Sequence, residues 1–322
     1  MRRLRHIAFW AATALAIGNP SLAQSLDATV RIVWPYSPGG GGDALARMVA
    51  DELRLGLKQP VIVENRGGAD GRIGVRAVKT AAPDGTTLLM APIAPMAIFQ
   101  RVYNSLGYDP LVDFQPVSQL ATFDFAVGIG THVPATSLAD YVAWVKADPA
   151  RGTYAVPGAG TLPHFFAAQF GQSSALQLTH VAYKGTAEAL VDLLGGHIPA
   201  VFTSTNQLVA MHKAGRVRIL ATSDTERSPF LPDVPTFLEA GSQIQGRGWF
   251  GMFAPAGTPA DVVERLNRLI VAAIHRPDIR ERILALGLQP TGTSVPEFAA
   301  IQRADSERWA PAVKASGFRA EQ

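Results

Sequence analysis

A β-branched, apolar segment, Ala28 to Trp34, runs into Pro35-Tyr36-Ser37-Pro38-Gly39-Gly40-Gly41-Gly42. Asp43 to Leu57 follows, with Leu45, Met48, Val49 and Leu53 at helical spacing. Glycines held between a strand and a helix leave few folds open. An open α/β sheet places its ligand beyond the carboxyl end of a strand at this kind of turn. Free N–H groups and the positive dipole end of the helix suit an anion there, and glycine lets the backbone approach it. Asp43 is expected as the N-cap. The stretch is not a phosphate loop of the Lys-Ser/Thr type. Ala44 stands where a dinucleotide fingerprint needs its third glycine.

The unit recurs. Gln59 to Asn65 reads as a strand, Arg66 to Gly71 as a glycine-rich turn, and Ile73 to Ala81 as a helix before the strand Thr87 to Met90. A mostly parallel sheet with helices on both faces is expected. The rhythm breaks over Tyr108 to Val117. It resumes with helix Leu138 to Lys146, strand Thr153 to Val156, a second turn Pro157 to His164 and helix Phe165 to Phe170. Strands over Thr179–Tyr183, Ile198–Thr203 and Val217–Thr222 and a helix over Ala187–Leu194 complete this part. Trp249 to Pro255 reads as a strand returning to the first part, followed by helices over Ala260–His275, Asp278–Leu286 and Glu297–Ser316. If the two glycine turns face each other, one small anion meets both helix N-termini.

Arg2, Arg3 and Arg5, the apolar run Ile7 to Ile17 and small residues ending at Ala23 predict a secretory signal over 1–23, cleaved before Gln24. Export to the periplasm follows. Those arginines carry the whole net charge of +3, and the remaining 26 basic and 26 acidic residues balance. No basic face argues for nucleic acid. The chain has no cysteine, which excludes disulfides, thiol nucleophiles and thiolate metal sites. Histidine spacing gives no metal site, and no cofactor is expected. A serine hydrolase using Ser37 or Ser204 with His164 or His180 is the alternative enzyme reading, but no nucleophile elbow is present. A binding protein, not an enzyme, is expected.

Pro35-Tyr36-Ser37-Pro38-Gly39-Gly40-x-x-Asp43, Val63-Glu64-Asn65-Arg66, Pro83-Asp84-Gly85 and Tyr108-Asp109-Pro110 occur in that order. Gly158-x-Gly160-Thr161-x-x-His164, Tyr183-Lys184-Gly185, Leu231-Pro232-Asp233-Val234-Pro235-Thr236, Trp249-x-Gly251 and Ala254-Pro255-Ala256-Gly257-Thr258-Pro259 follow. Together they resemble the periplasmic solute-binding proteins of tripartite tricarboxylate transporters, the Bug family, from about Thr29 to Gly317. The resemblance implies a two-domain α/β periplasmic binding protein of type II, a Venus flytrap with an interdomain ligand cleft. Residues 24–124 and 246–322 would form one domain and 125–245 the other. It implies a monomer that holds a small carboxylate and presents it to membrane permease subunits or, alternatively, to a signalling sensor.

The ligand-binding residues expected on these grounds are Tyr36, Ser37, Gly40, Gly41, Gly42, Asp43, Ile93, Ala94, Gly158, Ala159, Gly160, Thr161, His164, Thr203 and Ser204. Thr161 is placed to offer a hydroxyl, and His164 either to donate to an anion or to pack at the domain face. Arg47 and Arg66 are expected in structural ion pairs, and Lys184 as a solvated turn lysine. Where relatives carry an Asp near Phe202, this chain has Thr203 and Ser204. Where they carry glycine and small hydroxyls after the third strand, it has Ala91-Pro92-Ile93-Ala94-Pro95-Met96. A free amino acid would lack its carboxylate partner, so an aromatic or partly apolar carboxylate is expected.

Overall fold

Two mixed sheets, each holding three parallel strands, are built from 11 strands. The structure is a computed structural model and describes residues 29–183 and 185–320. The expected leader, its cleavage point and Lys184 lie outside the described residues. The chain opens with β1 (Val30–Trp34), α1 (Gly41–Leu57), β2 (Val61–Asn65), α2 (Arg72–Lys79) and β3 (Thr87–Pro92). A π-turn over Ala94–Ile98, α3 (Phe99–Val102) and β4 (Phe114–Phe123) follow. Next come β5 (Phe125–Gly130), α4 (Leu138–Ala147), β6 (Thr153–Val156), α5 (Leu162–Ser173), β7 (Thr179–Ala182), α6 (Thr186–Leu194), β8 (Ala200–Ser204), α7 (Val209–Lys213) and β9 (Val217–Thr222). The last elements are β10 (Gly248–Pro255), α8 (Ala260–Ile274), α9 (Pro277–Ala285), β11 (Gln289–Pro290), α10 (Val295–Arg308) and α11 (Ala310–Ser316).

The sheet orders are β2-β1-β3-β10-β4-β11 and β7-β6-β8-β5-β9. In each, a central strand pairs in parallel with both neighbours, β1 with β2 and β3, and β6 with β7 and β8. An antiparallel strand comes next, β10 beside β3 and β5 beside β8. The expected mostly parallel sheet is therefore corrected. The strands that enter after a crossover, β10 and β5, run against their neighbours. Two sheets with no convincing sequence repeat share one strand plan. The expected helix over Glu297–Ser316 is also corrected to α10 and α11. Trp309 caps the first, and Pro311 at the start of the second has no N–H to continue the ladder.

Alternation along the central strands fills both faces. On β5, Phe125, Val127 and Ile129 join the large core, while Ala126 faces a second cluster with Val201 and Leu208. The large core runs through both sheets. Phe123, Phe125, Phe166 and Trp309 form a continuous aromatic chain with ring centroids 5.1–5.4 Å apart.

Asp124 is the whole connection between β4 and β5, and residues 223–247 make the return. Ser223 ties the two crossovers. Its N–H donates to the Phe125 carbonyl (2.7 Å), its hydroxyl accepts from the Phe125 N–H (2.9 Å) and donates to the Gly246 carbonyl (2.7 Å). Asp124 is 8% exposed, and its Oδ2 has no partner among the described residues. Burial pushes its carboxyl up to about 6. The folded chain then binds more protons than the unfolded one between about pH 4 and 6, so this group's contribution worsens as pH rises through that window. Asp124→Asn is expected to raise stability by about 1–3 kcal/mol at pH 8 and to change little at pH 4. Thermal unfolding at the two pH values tests this; an equal midpoint at pH 8 contradicts it.

Candidate functional site

In each sheet the chain steps from the middle strand of the parallel trio to one neighbour, then back across to the other. β1 leads through α1 to β2 and through α2 to β3; β6 leads through α5 to β7 and through α6 to β8. The carboxyl ends of β1 and β6 are thus topological switch points, and each carries a glycine-rich turn. The candidate site is built from these turns and from the turns after β3 and β8.

The first turn is held from below by Asp43. The N-cap lies three residues earlier than expected: Gly40 is the N-cap and Asp43 the third helical residue. Its carboxylate reaches back to accept the Gly39 N–H (3.2 Å). It also accepts from Arg47 Nε (3.0 Å) and Nη2 (3.2 Å) and from Asn65 Nδ2 (2.8 Å). Burial alone would raise its pKa, but the Arg47 and Asn65 bonds, the Gly39 N–H and the Arg47 charge hold it below the usual range. Asp43 is a support of the turn, with both oxygens turned away from the open side. Asn65 also donates to the Tyr36 carbonyl (3.3 Å), joining the turn to β2.

The glycines divide by role. A Cβ on Gly42 would lie 2.2 Å from the Trp34 ring, so this glycine admits the indole and the ring of Phe250 behind it. Gly39 and Gly40 have open space around them, and Gly39 needs its positive φ of 99°. The first N–H groups of α1 have no partner within the helix. Ser37 and Gly40 are exposed, Tyr36, Gly41 and Ala94 half-buried, and Ile93 sits in the core.

In the second turn Thr161 caps α5, but its hydroxyl donates back to the Gly158 carbonyl (2.7 Å). His164 accepts the Gly160 N–H on Nδ1 (3.1 Å). Burial, then the neighbouring His180, lowers its pKa to about 4. At neutral pH it is an uncharged ring with its proton on Nε2, tilted by 40° against His180 (4.2 Å between centroids). It takes the packing role rather than that of a cation. The Gly160 N–H is spent inside the turn, whereas Gly158, Ala159 and Thr161 are half-buried with surface to offer. Among the described residues no hydrogen bond joins Ser37 or Ser204 to a histidine.

Thr203 is fully buried, its hydroxyl 2.9 Å from that of Thr186 at the start of α6. Ser204 is half-buried and leads into the turn Thr205–Gln207. From there Asn206 crosses to the other sheet. Its Nδ2 donates to the Leu286 carbonyl (3.3 Å) and lies beside Gly41. Asn65, Thr186 and Asn206 were absent from the residues expected from sequence. Asn65 lies in the Val63-Glu64-Asn65-Arg66 motif; Asn206 has no local signal. Arg47 and Arg66 do form ion pairs, with Asp43 and Glu64. Among the described residues no helix is long and apolar enough to cross a membrane, and no group of three or more acidic or histidine side chains could hold a metal.

The family model of the tripartite tricarboxylate transporter family receptor matches residues 45–318. The chain belongs to this family. BugT of Bordetella pertussis is 32% identical over 319 residues, covering 98% of each chain. A protein of Rhodopseudomonas palustris solved with adipate is 30% identical, covers 90% of this chain and 98% of its own, and superposes with a TM-score of 0.84. Another from that organism, solved with bound malate, is 29% identical over 88% of this chain and 98% of its own, with a TM-score of 0.80. The family receptors are solute-binding proteins with the two-domain periplasmic binding fold.

Proposed function

We propose that this receptor captures a small carboxylate between the carboxyl ends of its two sheets and delivers it, in the periplasm, to the membrane subunits of a tripartite tricarboxylate-type transporter. The observation that carries this reading is the equivalence of the two turns. Each follows the middle strand of the parallel trio in its sheet, opens a helix of 12 or more residues and offers backbone N–H groups. The two solved relatives hold dicarboxylates, adipate and malate. Residues 24–124 with 246–322 and residues 125–245 act as the two domains, closing about Asp124 and the 223–247 return. A carboxylate bridging both turns favours closure only through its extra affinity for the closed form.

The ligand is a carboxylate with a partly apolar body. Trp34, Tyr36 and Phe250 cluster beneath the first turn, and neutral Thr203 and Ser204 replace the Asp that the resemblance leads one to expect near Phe202, which supports a ligand without an ammonium. No catalytic step is assigned. Thermal unfolding against a panel of mono-, di- and tricarboxylates, aromatic acids and amino acids tests the reading. A ligand at 100 times its Kd adds about 2.7 kcal/mol, a shift of several degrees. A shift confined to carboxylates is expected; a response led by amino acids would contradict the assignment.

A further inference from the structure

α11 packs on α5 of the second half and ends at Ser316. Gly317, with φ of 65°, turns the chain back. The Phe318 ring then stands edge-on to His164, with centroids 5.0 Å apart. His164 is the residue that holds the Gly160 N–H. Position 160 has no room for a side chain, because a Cβ there would lie 2.8 Å from Phe318 and 3.1 Å from Val102 of α3. Two residues later the Ala320 N–H donates to the Val102 carbonyl (3.2 Å), and Ala320 bridges in parallel to Tyr103.

The contact path continues into the first turn. The Tyr103 hydroxyl donates to Asp70 Oδ2 (2.8 Å), with the Arg72 guanidinium 3.9 Å above the tyrosine ring. The Tyr36 hydroxyl donates to the Asp70 carbonyl (3.2 Å). Gly317–Ala320 therefore joins the second glycine turn to residues that brace the first. Phe318 also lines two grooves, of about 630 and 380 Å³. With open space beside it, the ring supports a turn more than it fills a core. Its loss should cost the turn its order and the whole molecule little stability.

We propose that Gly317–Ala320 is a positioning strap, in which Phe318 fixes the Gly158–His164 turn and Ala320 anchors it to the first half, so that the strap sets the affinity for a carboxylate. This rests on the carboxylate-binding reading above. Hydrogen exchange of the ligand-free protein, followed by titration with adipate, tests it. In Phe318→Ala the Gly160 amide, bonded to His164, should exchange about ten-fold faster, while the unfolding midpoint moves by less than about 3 °C. Phe318→Leu should recover most of the protection. Ala320→Pro, which removes the N–H donated to Val102 and also fixes the backbone φ there, should reproduce the loss. Adipate affinity should fall about ten-fold in Phe318→Ala and Ala320→Pro. Unchanged exchange in both variants overturns the strap, as does an unchanged adipate affinity. If the parent protein binds no carboxylate of the panel, the functional reading fails, and exchange at Gly160 still decides the strap.

Discussion

Trp249→Ala is expected to lower the stability of this receptor by about 4 kcal/mol, or roughly 10 °C in midpoint. The indole is 1% exposed at the start of β10, edge-on to Phe298 (5.1 Å) and near Phe253 (6.1 Å). Its Nε1–H donates to Asp305 Oδ2 at 2.8 Å. Truncation leaves a cavity, and it also strips a buried carboxylate of a donor. Burial raises the Asp305 pKa, against which the Trp249 bond and the Arg308 charge act. A group raised in the folded state contributes best when protonated and costs more as pH rises. Trp249→Phe keeps most of the bulk and loses the bond, so its defect should be about 1–3 kcal/mol and larger at pH 7.5 than at pH 4.5. Urea unfolding at both pH values measures this. A phenylalanine variant with a defect that does not grow with pH would remove Asp305 from the account.

Most strands and helices and both glycine turns were legible because each is a local pattern, whereas α3, α7 and the two-residue β11 are too short to carry one. Leu45, Met48, Val49 and Leu53 mark the buried stripe of α1, and all four are in the core. What sequence could not supply was the reason for particular residues. The missing side chain of Gly42 makes room for Trp34, a packing reason that no local pattern reports. Gly251, in the Trp249-x-Gly251 motif, leaves space for the Phe298 ring, which would lie 2.1 Å from an added Cβ. Asp43 resembled an N-cap because the preference is local. Its real partner set includes Asn65, 22 residues away, and an Arg47 at i+4 whose pairing was readable. Asn206 meets Leu286, and Phe318 meets His164. No periodicity or cap preference reports contacts of such range.

Asp43→Ala is the variant expected to weaken carboxylate binding most without touching the open side of the site. The carboxylate accepts four bonds: one from the turn itself at Gly39, two from Arg47 and one from β2 at Asn65. Alanine leaves the Gly39 N–H and the Asn65 amide without their acceptor. Gly39 is exposed, and half-buried Asn65 keeps its bond to the Tyr36 carbonyl, so the two lost bonds together cost about 2 kcal/mol. Arg47 is half exposed and can turn to water, so its share is small. Relief comes from movement of the exposed segment Ser37–Gly40, which has open space around Gly39 and Gly40. The binding-competent arrangement then becomes one of several, and apparent affinity falls by the fraction lost. A penalty of about 2 kcal/mol corresponds to roughly a thirty-fold higher Kd. Asp43→Asn keeps one acceptor oxygen and should fall between. Because the Asp43 pKa is lowered in the fold, its contribution is present above the ordinary carboxylate pKa and disappears on acidification. The parent and alanine proteins should therefore converge in stability as pH drops below about 4. Calorimetric titration with the best carboxylate of the panel, at pH 7, decides the matter: equal affinity in the parent and Asp43→Ala would mean that the first turn holds its shape without Asp43.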